Sequence, residues 1–393
     1  MIRDRNSIAR SASQALRERA ASLRNASVLV GFDGFVDSII HAVDKRFSDR
    51  PEDYSPFKTI DQFSRRVGAA AGKSANIELV VKEDRFGGNG PLMAGALGCA
   101  GAGVTYIGAV GKESDPRSLH PIFGGFAKLC RVVESVAPPA HTDALEFDDG
   151  KIMLGRPQNV RAIDWRSLCD SLGRENLVGA LRRAQLIGIV NWVMMPGVES
   201  IWKGMCEEVF PPGMRGEAGR KIFLDLADPT RRPDADIANA LTLIARLDQS
   251  VPTTLGLNLS EAQRVASVLG LSVLKVDSGR ELGDSTLEGA RAIRGALGID
   301  CVVIHPREGA AASTVQAAEW FDGPFIENPR LSTGAGDHFN AGFALGRLLD
   351  MDIGQSLAVG CATSGAYVRD AQSPSAERLI EFLSALPAPV AQQ

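Results

Sequence analysis

The chain has 393 residues, of which 45% are hydrophobic and 23% are charged. This composition is typical of a globular protein with a large core and excludes a disordered or collagen-like chain. The formal net charge of −4 excludes a protein that binds nucleic acid through a basic surface.

The cysteines and the N-terminus predict a cytoplasmic protein. Six cysteines are spread along the chain without a CxxC pair: Cys99, Cys130, Cys169, Cys206, Cys301 and Cys361. This spacing favours buried, reduced thiols over a zinc site or a disulfide framework. The N-terminal stretch MIRDRNSIARSASQALRERA is charged and lacks the apolar segment of a signal peptide. No apolar run approaches the roughly 20 residues that cross a membrane, so we expect no membrane partner.

Short apolar runs alternate with helical patterns along the chain. Residues 4–24 predict an amphipathic helix with a weak apolar stripe, which favours a surface brace over a membrane anchor. Buried strands are predicted at 27–32, 77–81, 104–110, 186–193, 221–226, 253–257 and 301–304, and helices at 238–247, 260–269 and 285–297. This alternation predicts an α/β fold with a doubly wound, mostly parallel sheet.

Two stretches depart from this alternation. Residues 38–86 are long and polar, and residues 138–165 alternate apolar and polar residues around Asp149-Gly150, which is a hairpin signal. We expect the two stretches to form a small β-sheet lid on a main domain at 27–385. A helical extension at 1–26, a surface loop at 211–220 and a tail at 386–393 complete the predicted organisation.

The strongest chemical signal is LSTGAGDHFN at 331–340, followed by a helical pattern. Gly334, Ala335 and Gly336 form a small-residue turn that opens a helix, and Asp337 lies in its first turn. Backbone N–H groups that converge at a helix N-terminus form an anion site that suits phosphate. A carboxylate at this position suits the role of a general base, which takes the proton from the hydroxyl that attacks the phosphorus. On spacing alone, a glycine-rich turn with a helix-terminal charge remains the alternative.

These residues resemble the C-terminal signature of the ribokinase-like, or PfkB, carbohydrate kinases, TGAGDxFxAGF. A second stretch is similar to the N-terminal signature of that family. Gly87-Gly88-Asn89-Gly90 leads into a helix, and GVTYIGAVGKE at 103–113 then contains a strand that ends with the pattern Ile-Gly-x-Val-Gly. The order and the separation of the two signatures also match. The resemblance covers about residues 27–385 and implies a ribokinase-like fold and ATP-dependent phosphorylation.

The resemblance implies roles for further residues. Asp37 matches the acidic residue that binds sugar hydroxyls, and the Gly88-Asn89 turn holds the acceptor. Asp33 is a second candidate for the sugar, although it could instead fix the turn. Asp337 is the implied general base and Gly334, Ala335 and Gly336 the implied anion hole.

The nucleotide side has its own implied residues. Asn258 and Glu261 are similar to the family's Asn-x-x-Glu, which organises Mg²⁺ and the ATP phosphates, with Glu261 acting through water. Gly334 and Gly336 contact the nucleotide as well. Asp225 and Asp228 lie at the end of a predicted strand, where the family has an acidic loop near the phosphates, although turn chemistry explains them equally well.

The chain departs from the family pattern at three places. Leu331 replaces the Asp that commonly serves a monovalent-cation site, so we expect weak dependence on potassium. The loop His305-Pro306-Arg307-Glu308-Gly309 lacks the usual phosphate-binding Thr. Arg307, with Gly309 near it, could replace this Thr by donating a charge-assisted hydrogen bond to a phosphate, or could face solvent. His305 is interpreted as a structural residue. Leu92 stands where kinases of ribose often have Asn, which makes ribose a poorer candidate.

The predicted function is therefore ATP-dependent phosphorylation of a hydroxyl of a sugar or a sugar-like compound, with ATP and Mg²⁺. Two alternatives remain. A nucleoside or phosphosugar kinase of the same family is the first, and its extra cations are available near the lid as Arg85, Lys151, Arg156 and Arg161. A catalytically inactive, sugar-binding regulatory protein is the second. A homodimer through the lid is also expected, because lid strands often pair between subunits in this family.

Overall fold

The structure is a computed structural model that describes residues 4–211, 219–274 and 281–389, so most of the predicted loop at 211–220 and the end of the predicted tail lie outside the described residues. The strands of the described part are β1 Ser27–Phe32, β2 Phe35–Arg46, β3 Tyr54–Pro56, β4 Leu79–Gly87, β5 Gly103–Gly108, β6 Gly111–Lys112, β7 Asp115–Leu119, β8 Val132–Ser135, β9 Ala140–Phe147, β10 Gly150–Arg156, β11 Leu186–Ile189, β12 Lys221–Asp225, β13 Thr253–Leu257, β14 Cys301–Ile304, β15 Gly309–Thr314 and β16 Ala318–Asp322. The helices of the same part are α1 Arg5–Leu23, α2 Ile60–Gly68, α3 Asn89–Cys99, α4 Gly124–Ala127, α5 Gln158–Arg161, α6 Trp165–Leu172, α7 Arg174–Arg183, α8 Val198–Gly204, α9 Asp234–Asp248, α10 Leu259–Val268, α11 Leu282–Leu297, α12 Ala335–Leu348, α13 Ile353–Asp370 and α14 Ala376–Ser384.

The large sheet has nine strands in the order β16-β15-β14-β13-β12-β11-β1-β5-β8. All neighbours from β14 to β8 pair in parallel, and β15 and β16 add antiparallel strands at one edge. Parallel strands bring their carboxyl ends to one edge, where ligands bind in open α/β sheets. The predicted fold class is confirmed.

Helices cover both faces of this sheet. Helices α6 to α11 pack on one face around residues such as Leu29 and Ile187. The opposite face carries α1, α3, α12, α13 and α14, packed around residues such as Val30 and Tyr106. Adjacent residues of β1 therefore point into two different cores, which explains why β1 is apolar and buried from residue 28 to residue 32.

The lid is a second, five-stranded sheet in the order β10-β9-β2-β3, with β4 also paired to β2. Only residues 33 and 34 separate its strand β2 from β1, so the lid is joined directly to the main sheet. A small core of Ile40, Ala42, Phe57 and Leu145 supports it. The predicted hairpin at Asp149-Gly150 is confirmed as the turn between β9 and β10.

The prediction that residues 77–81 form a buried strand is wrong. This run contributes to β4 of the lid, where the side chains of Leu79 and Val81 are 46% and 53% exposed. A short apolar run does not by itself distinguish a buried parallel strand from a half-exposed lid strand.

The structure also places the lid boundaries differently. The first lid segment begins at Phe35, three residues before the predicted position. The second segment leaves the sheet after Arg156, because Val160, Ile163 and Trp165 are buried in the core of the main domain. Because the sequence pattern treats 138–165 as one alternating stretch, it does not show that the chain leaves the lid sheet and joins the core of the main domain.

The N-terminal helix α1 packs on the main domain, where the sequence predicts a surface brace. It buries Ile8, Ala12 and Leu16 against α13 and α14 of the main domain. Asp4 caps its start by accepting the N–H of Ser7 at 3.0 Å. Of the helices in the described residues, none has the length and apolar character needed to span a membrane.

The packing of α1 predicts a measurable stability contribution. Leu16 is fully buried, so Leu16→Ala is expected to lower the free energy of unfolding by about 2–5 kcal/mol through the cavity that it leaves. Urea denaturation measures this change. The exposed neighbour Arg17 supplies the control, since Arg17→Ala is expected to stay within about 0.5 kcal/mol of the parent protein. A Leu16→Ala loss below about 1 kcal/mol would contradict a bracing role.

Candidate active site

The buried carboxylate of Asp33 organises the edge of the sheet where the predicted site residues meet. Asp33 lies in the link between β1 and β2 and is fully buried. Its oxygens accept the N–H of Asn89 at 3.0 Å, the N–H of Gly90 at 2.8 Å and the side-chain amide of Asn191 at 2.7 Å. Burial raises its pKa to about 6. These contacts favour the turn-fixing role of Asp33 over direct contact with a sugar.

The turn held by Asp33 presents Asn89 to the other signature. The side-chain amide of Asn89 donates to Asp337 Oδ1 at 2.8 Å, which joins residues 248 positions apart in the chain. The two signatures therefore meet in the fold.

Asp337 lies in the first turn of α12 and is 8% exposed. Burial raises its pKa well above the ordinary value, and the charge of Asp225 raises it further, against the opposing effect of the bond from Asn89. A carboxyl group with a raised pKa is a stronger base once deprotonated, which suits proton abstraction from a hydroxyl.

The start of α12 requires glycine. Gly334 has φ +86°, in the left-handed region, and caps the helix. A Cβ on Gly334 would also stand 3.1 Å from Leu92 Cδ1 and 3.2 Å from the hydroxyl of Tyr367. In the described part of the chain, the N–H groups of Gly334, Gly336 and Asp337 donate to no carbonyl. The helix therefore begins with free donors beside the base, as an anion site needs.

Two cavities share the wall formed by residues 332–337. The first, of about 340 Å³, is lined by Asp37, Gly88, Asn89, Gly334 and Asp337. The second, of about 490 Å³, is lined by Arg307, Gly309, Ala335 and Gly336, and by apolar residues from Pro324 to Pro329 and from α13. The turn thus separates the smaller cavity from the larger one, with Asp337 on the side of the smaller.

The lid places Asp37 over the smaller cavity. Asp37 stands on β2, and its carboxylate accepts a hydrogen bond from Thr142 on β9. A Cβ at Gly87 would lie 2.1 Å from Asp37 Oδ2, so only glycine leaves room for this carboxylate. Burial raises the pKa of Asp37, while the charge of Lys151 opposes the increase.

The lid cations mostly have acidic partners on the lid itself. Arg156 contacts Asp143 at 3.0 Å, and Arg85 pairs with Glu83. Lys151 contacts Glu146 at 3.5 Å and also reaches Thr333 Oγ1 in the shared turn, at 3.3 Å. Arg161 lies after the lid sheet, in α5.

Glu261 and Asp225 form a second pair of acidic residues close to Asp337. Glu261 accepts the N–H of Asp228 at 2.9 Å and that of Asn258 at 2.8 Å, while Asn258 Oδ1 caps α10. Asp225 accepts the side-chain amide of Asn340 and the N–H of Ala227.

This acidic pair titrates abnormally. Burial and the charge of Asp225 raise the pKa of Glu261 to about 7, and burial raises the pKa of Asp225. Two carboxylates that repel each other in a buried place are stabilised by a nearby cation. Within the described residues, no three metal-ligating side chains are grouped closely enough to hold an ion by themselves. The pair thus fits Mg²⁺ bound mainly by phosphate oxygens and water, which is a common arrangement for this ion.

Sequence reasoning missed Asn191. The predicted strand at 186–193 includes this residue, whereas β11 ends at Ile189. Asn191 has φ +69°, is 3% exposed and lines the smaller cavity, and its Oδ1 has no hydrogen-bond partner among the described residues. A polar residue directly after a buried strand was the available signal, because that position lies at the ligand-binding edge of the sheet.

The departures from the family pattern have structural counterparts. The N–H of Leu331 donates to Val368 O at 3.3 Å, so the incoming loop is tied to the end of α13. His305 packs against Phe339 with ring centroids 4.6 Å apart and an interplanar angle of 30°, and it lines the larger cavity. Burial lowers its pKa to about 4, so the ring is neutral near pH 7.

The sequence model of the prokaryotic ketohexokinase family matches residues 4–386, a range that includes α1. A ketohexokinase of Haloferax volcanii is 30% identical over 376 residues, which cover 95% of this chain and 94% of that protein.

Solved structures resemble the fold. Ribokinase from Thermotoga maritima has a TM-score of 0.55 at 14% identity, covering 91% of this chain and 98% of that one. Arabidopsis thaliana ribokinase, complexed with ribose and ATP, has a TM-score of 0.58 at 15% identity, covering 91% and 97%. The fold, the shared-wall geometry and the family match agree, and the chain belongs to the prokaryotic ketohexokinase family, a group of ribokinase-like, ATP-dependent sugar kinases.

Proposed function

We propose that this sugar kinase transfers the γ-phosphoryl group of ATP to a hydroxyl of a ketohexose. The observation that supports this proposal most directly is the wall of residues 332–337, which has Asp337 on one side and Ala335 and Gly336 on the other. The ketohexose follows from the family and from the name of the Haloferax volcanii relative. A phosphoryl group passing between two cavities must cross such a wall.

The smaller cavity is the proposed acceptor site. Asp37 accepts hydrogen bonds from sugar hydroxyls, and the unpartnered Oδ1 of Asn191 accepts another. Asn89, fixed by Asp33, contacts both the acceptor and Asp337. Carboxylate and amide oxygens suit a polyhydroxy compound because its many O–H groups need acceptors.

Asp337 is the proposed general base. It takes the proton of the attacking hydroxyl as the new O–P bond forms, and the bond from phosphorus to the leaving ADP oxygen breaks. The free N–H groups at the start of α12 stabilise the charge on the transferring phosphoryl oxygens.

The larger cavity is the proposed nucleotide site, with Arg307 and Gly309 beside the phosphates and Asn258 near them. Glu261 and Asp225 are proposed to hold Mg²⁺ through water. When bound, the ion neutralises phosphate charge and aligns the phosphate chain. The replacement of the family's Asp by Leu331 supports a weak potassium dependence.

The phosphosugar alternative is weakened by the charges of the lid. Arg85 and Arg156 are already paired with Glu83 and Asp143. Recruiting them to a sugar phosphate would require breaking these pairs. The family match likewise favours an active kinase over an inactive sugar-binding protein.

The proposed substrate class can be tested with a panel of acceptors. With ATP and Mg²⁺, ADP release is expected to show the highest kcat/KM for fructose or another ketohexose. Glucose, ribose, adenosine and fructose 6-phosphate are the comparison acceptors. A higher kcat/KM for adenosine or fructose 6-phosphate would contradict the proposed substrate class, and sugar binding without ADP release would contradict the proposed function.

The base can be tested with Asp337→Asn. Asn keeps an oxygen for the bond from Asn89 but cannot take a proton, so kcat is expected to fall by roughly 10²–10⁴. Asp350→Asn is the matched control, because the side chain of Asp350 is 82% exposed and pairs with Lys221, and it is expected to stay within about twofold of the parent enzyme. Retention of more than about a third of the parent kcat by Asp337→Asn would exclude the base role.

The same variant has a second expected effect, on stability. Because the pKa of Asp337 is raised in the folded state, the folded protein binds more protons than the unfolded one, and the parent loses stability as pH rises above about 3.8. The amide introduced by Asp337→Asn cannot ionise, so the free energy of unfolding of this variant is expected to rise relative to that of the parent as pH increases above about 3.8, until the folded-state pKa of Asp337 is passed. Urea denaturation without ligands measures this difference, and a pH-independent difference would contradict the raised pKa.

A further inference from the structure

His338 and Tyr367 form a stacked contact beside the turn at 332–337, and neither residue lines either of the two cavities. Their ring centroids are 3.5 Å apart and the interplanar angle is 13°. His338 is fully buried in α12, and Tyr367, on α13, is 7% exposed. Neither residue has a role in the mechanism above, although both lie directly against the turn that separates the two cavities.

Each ring holds one carbonyl of the turn. The hydroxyl of Tyr367 donates to Thr333 O at 2.9 Å. His338 Nδ1 lies 2.7 Å from Gly334 O, and since a carbonyl only accepts, Nδ1 carries the proton. Two consecutive peptide groups, 333–334 and 334–335, are therefore each fixed by a side chain.

The tautomer of His338 is fixed from the other side of the ring. His338 Nε2 lies 2.8 Å from Ser373 Oγ. Burial lowers the pKa of His338 to about 4, so near pH 7 the ring is neutral and Nε2 accepts the hydroxyl proton of Ser373. This arrangement leaves Nδ1–H available only for Gly334 O.

Fixing a carbonyl also fixes the N–H of the same peptide group. In a planar trans peptide, the N–H points opposite to the C=O. The bond from Tyr367 to Thr333 O thus turns the Gly334 N–H away from α13. The bond from His338 to Gly334 O sets the Ala335 N–H, which donates to Ser332 O at 3.2 Å and closes the turn.

We propose that Tyr367 and His338 are positioning residues for phosphoryl transfer, which hold the peptide groups of Thr333 and Gly334 so that the Gly334 N–H meets the charge that develops on the transferring group. This inference rests on the proposed function. Gly334 has no side chain to restrain its backbone, so the restraint comes from its neighbours. A donor that is held before the reaction costs no reorganisation at the transition state.

The first test removes the Tyr367 hydroxyl alone. Tyr367→Phe keeps the stack, and kcat is expected to fall about tenfold, less than the roughly 10²–10³-fold loss from deleting an anion-hole donor itself. KM for fructose and for ATP is expected to change less than twofold. Tyr54→Phe is the matched control, since the hydroxyl of Tyr54 bonds to His41 in the lid, and it is expected to keep the parent kcat. An unchanged kcat in Tyr367→Phe would overturn the proposal.

The second test separates the bond of His338 from its stacking. His338→Asn places an amide N–H near the position of Nδ1, whereas His338→Phe keeps an aromatic ring without that donor. If the bond to Gly334 O matters, kcat in His338→Asn is expected to lie within about threefold of the parent and in His338→Phe about tenfold below it. A purely structural role predicts the reverse order, with activity following thermal stability, and that result would overturn the proposal.

A binding measurement keeps the two proposals distinguishable. ADP with aluminium fluoride and fructose mimics the transferring group, and its affinity is expected to fall about tenfold in Tyr367→Phe, while the affinity for a non-hydrolysable ATP analogue stays unchanged. Equal losses for both ligands would overturn the positioning role. Absence of turnover in the parent enzyme would contradict the proposed function instead, and the binding comparison would still test the anion hole.

Discussion

The site depends on one buried carboxylate that touches neither cavity. Asp33 accepts hydrogen bonds from Asn89, Gly90 and Asn191, and so ties together the start of α3 and the end of β11 at the link between the two sheets. A carboxylate that loses its hydration must recover these bonds inside the protein, which makes the arrangement specific. With its backbone held in this way, Asn89 reaches Asp337 from the other signature. The geometry of the acceptor side therefore follows from Asp33.

The acidic residues of the site are arranged at a cost in stability. The charges of Asp225 and Glu261 raise the pKa of the buried Asp337, and the charge of Asp225 raises the pKa of Glu261. Such crowding is unfavourable in the free protein because burial removes hydration and like charges repel. The same features suit a protein that binds a cation with a polyphosphate and removes a proton from a hydroxyl. Function and stability make opposite demands on these residues.

The short turn before α12 contributes to several parts of the site. It closes the acceptor cavity, faces the nucleotide cavity and supplies free N–H donors. Glycine at 334 permits the backbone conformation, and the side chains of His338 and Tyr367 provide the restraint that glycine lacks. Lys151 reaches the same turn from the lid. Backbone, main-domain and lid groups thus converge on one short segment.

Residue patterns within short segments were enough to predict the alternating strands and helices, the turn that opens α12 and the family. The folded structure was needed to see that Asp33 faces the turn while Asp37, four residues later, faces the cavity. It alone revealed Asn191 beside the acceptor site, the lid position of 77–81 and the pairing of His338 with Tyr367. Local spacing sets the periodicity of an element, but contacts between distant segments depend on how the elements pack.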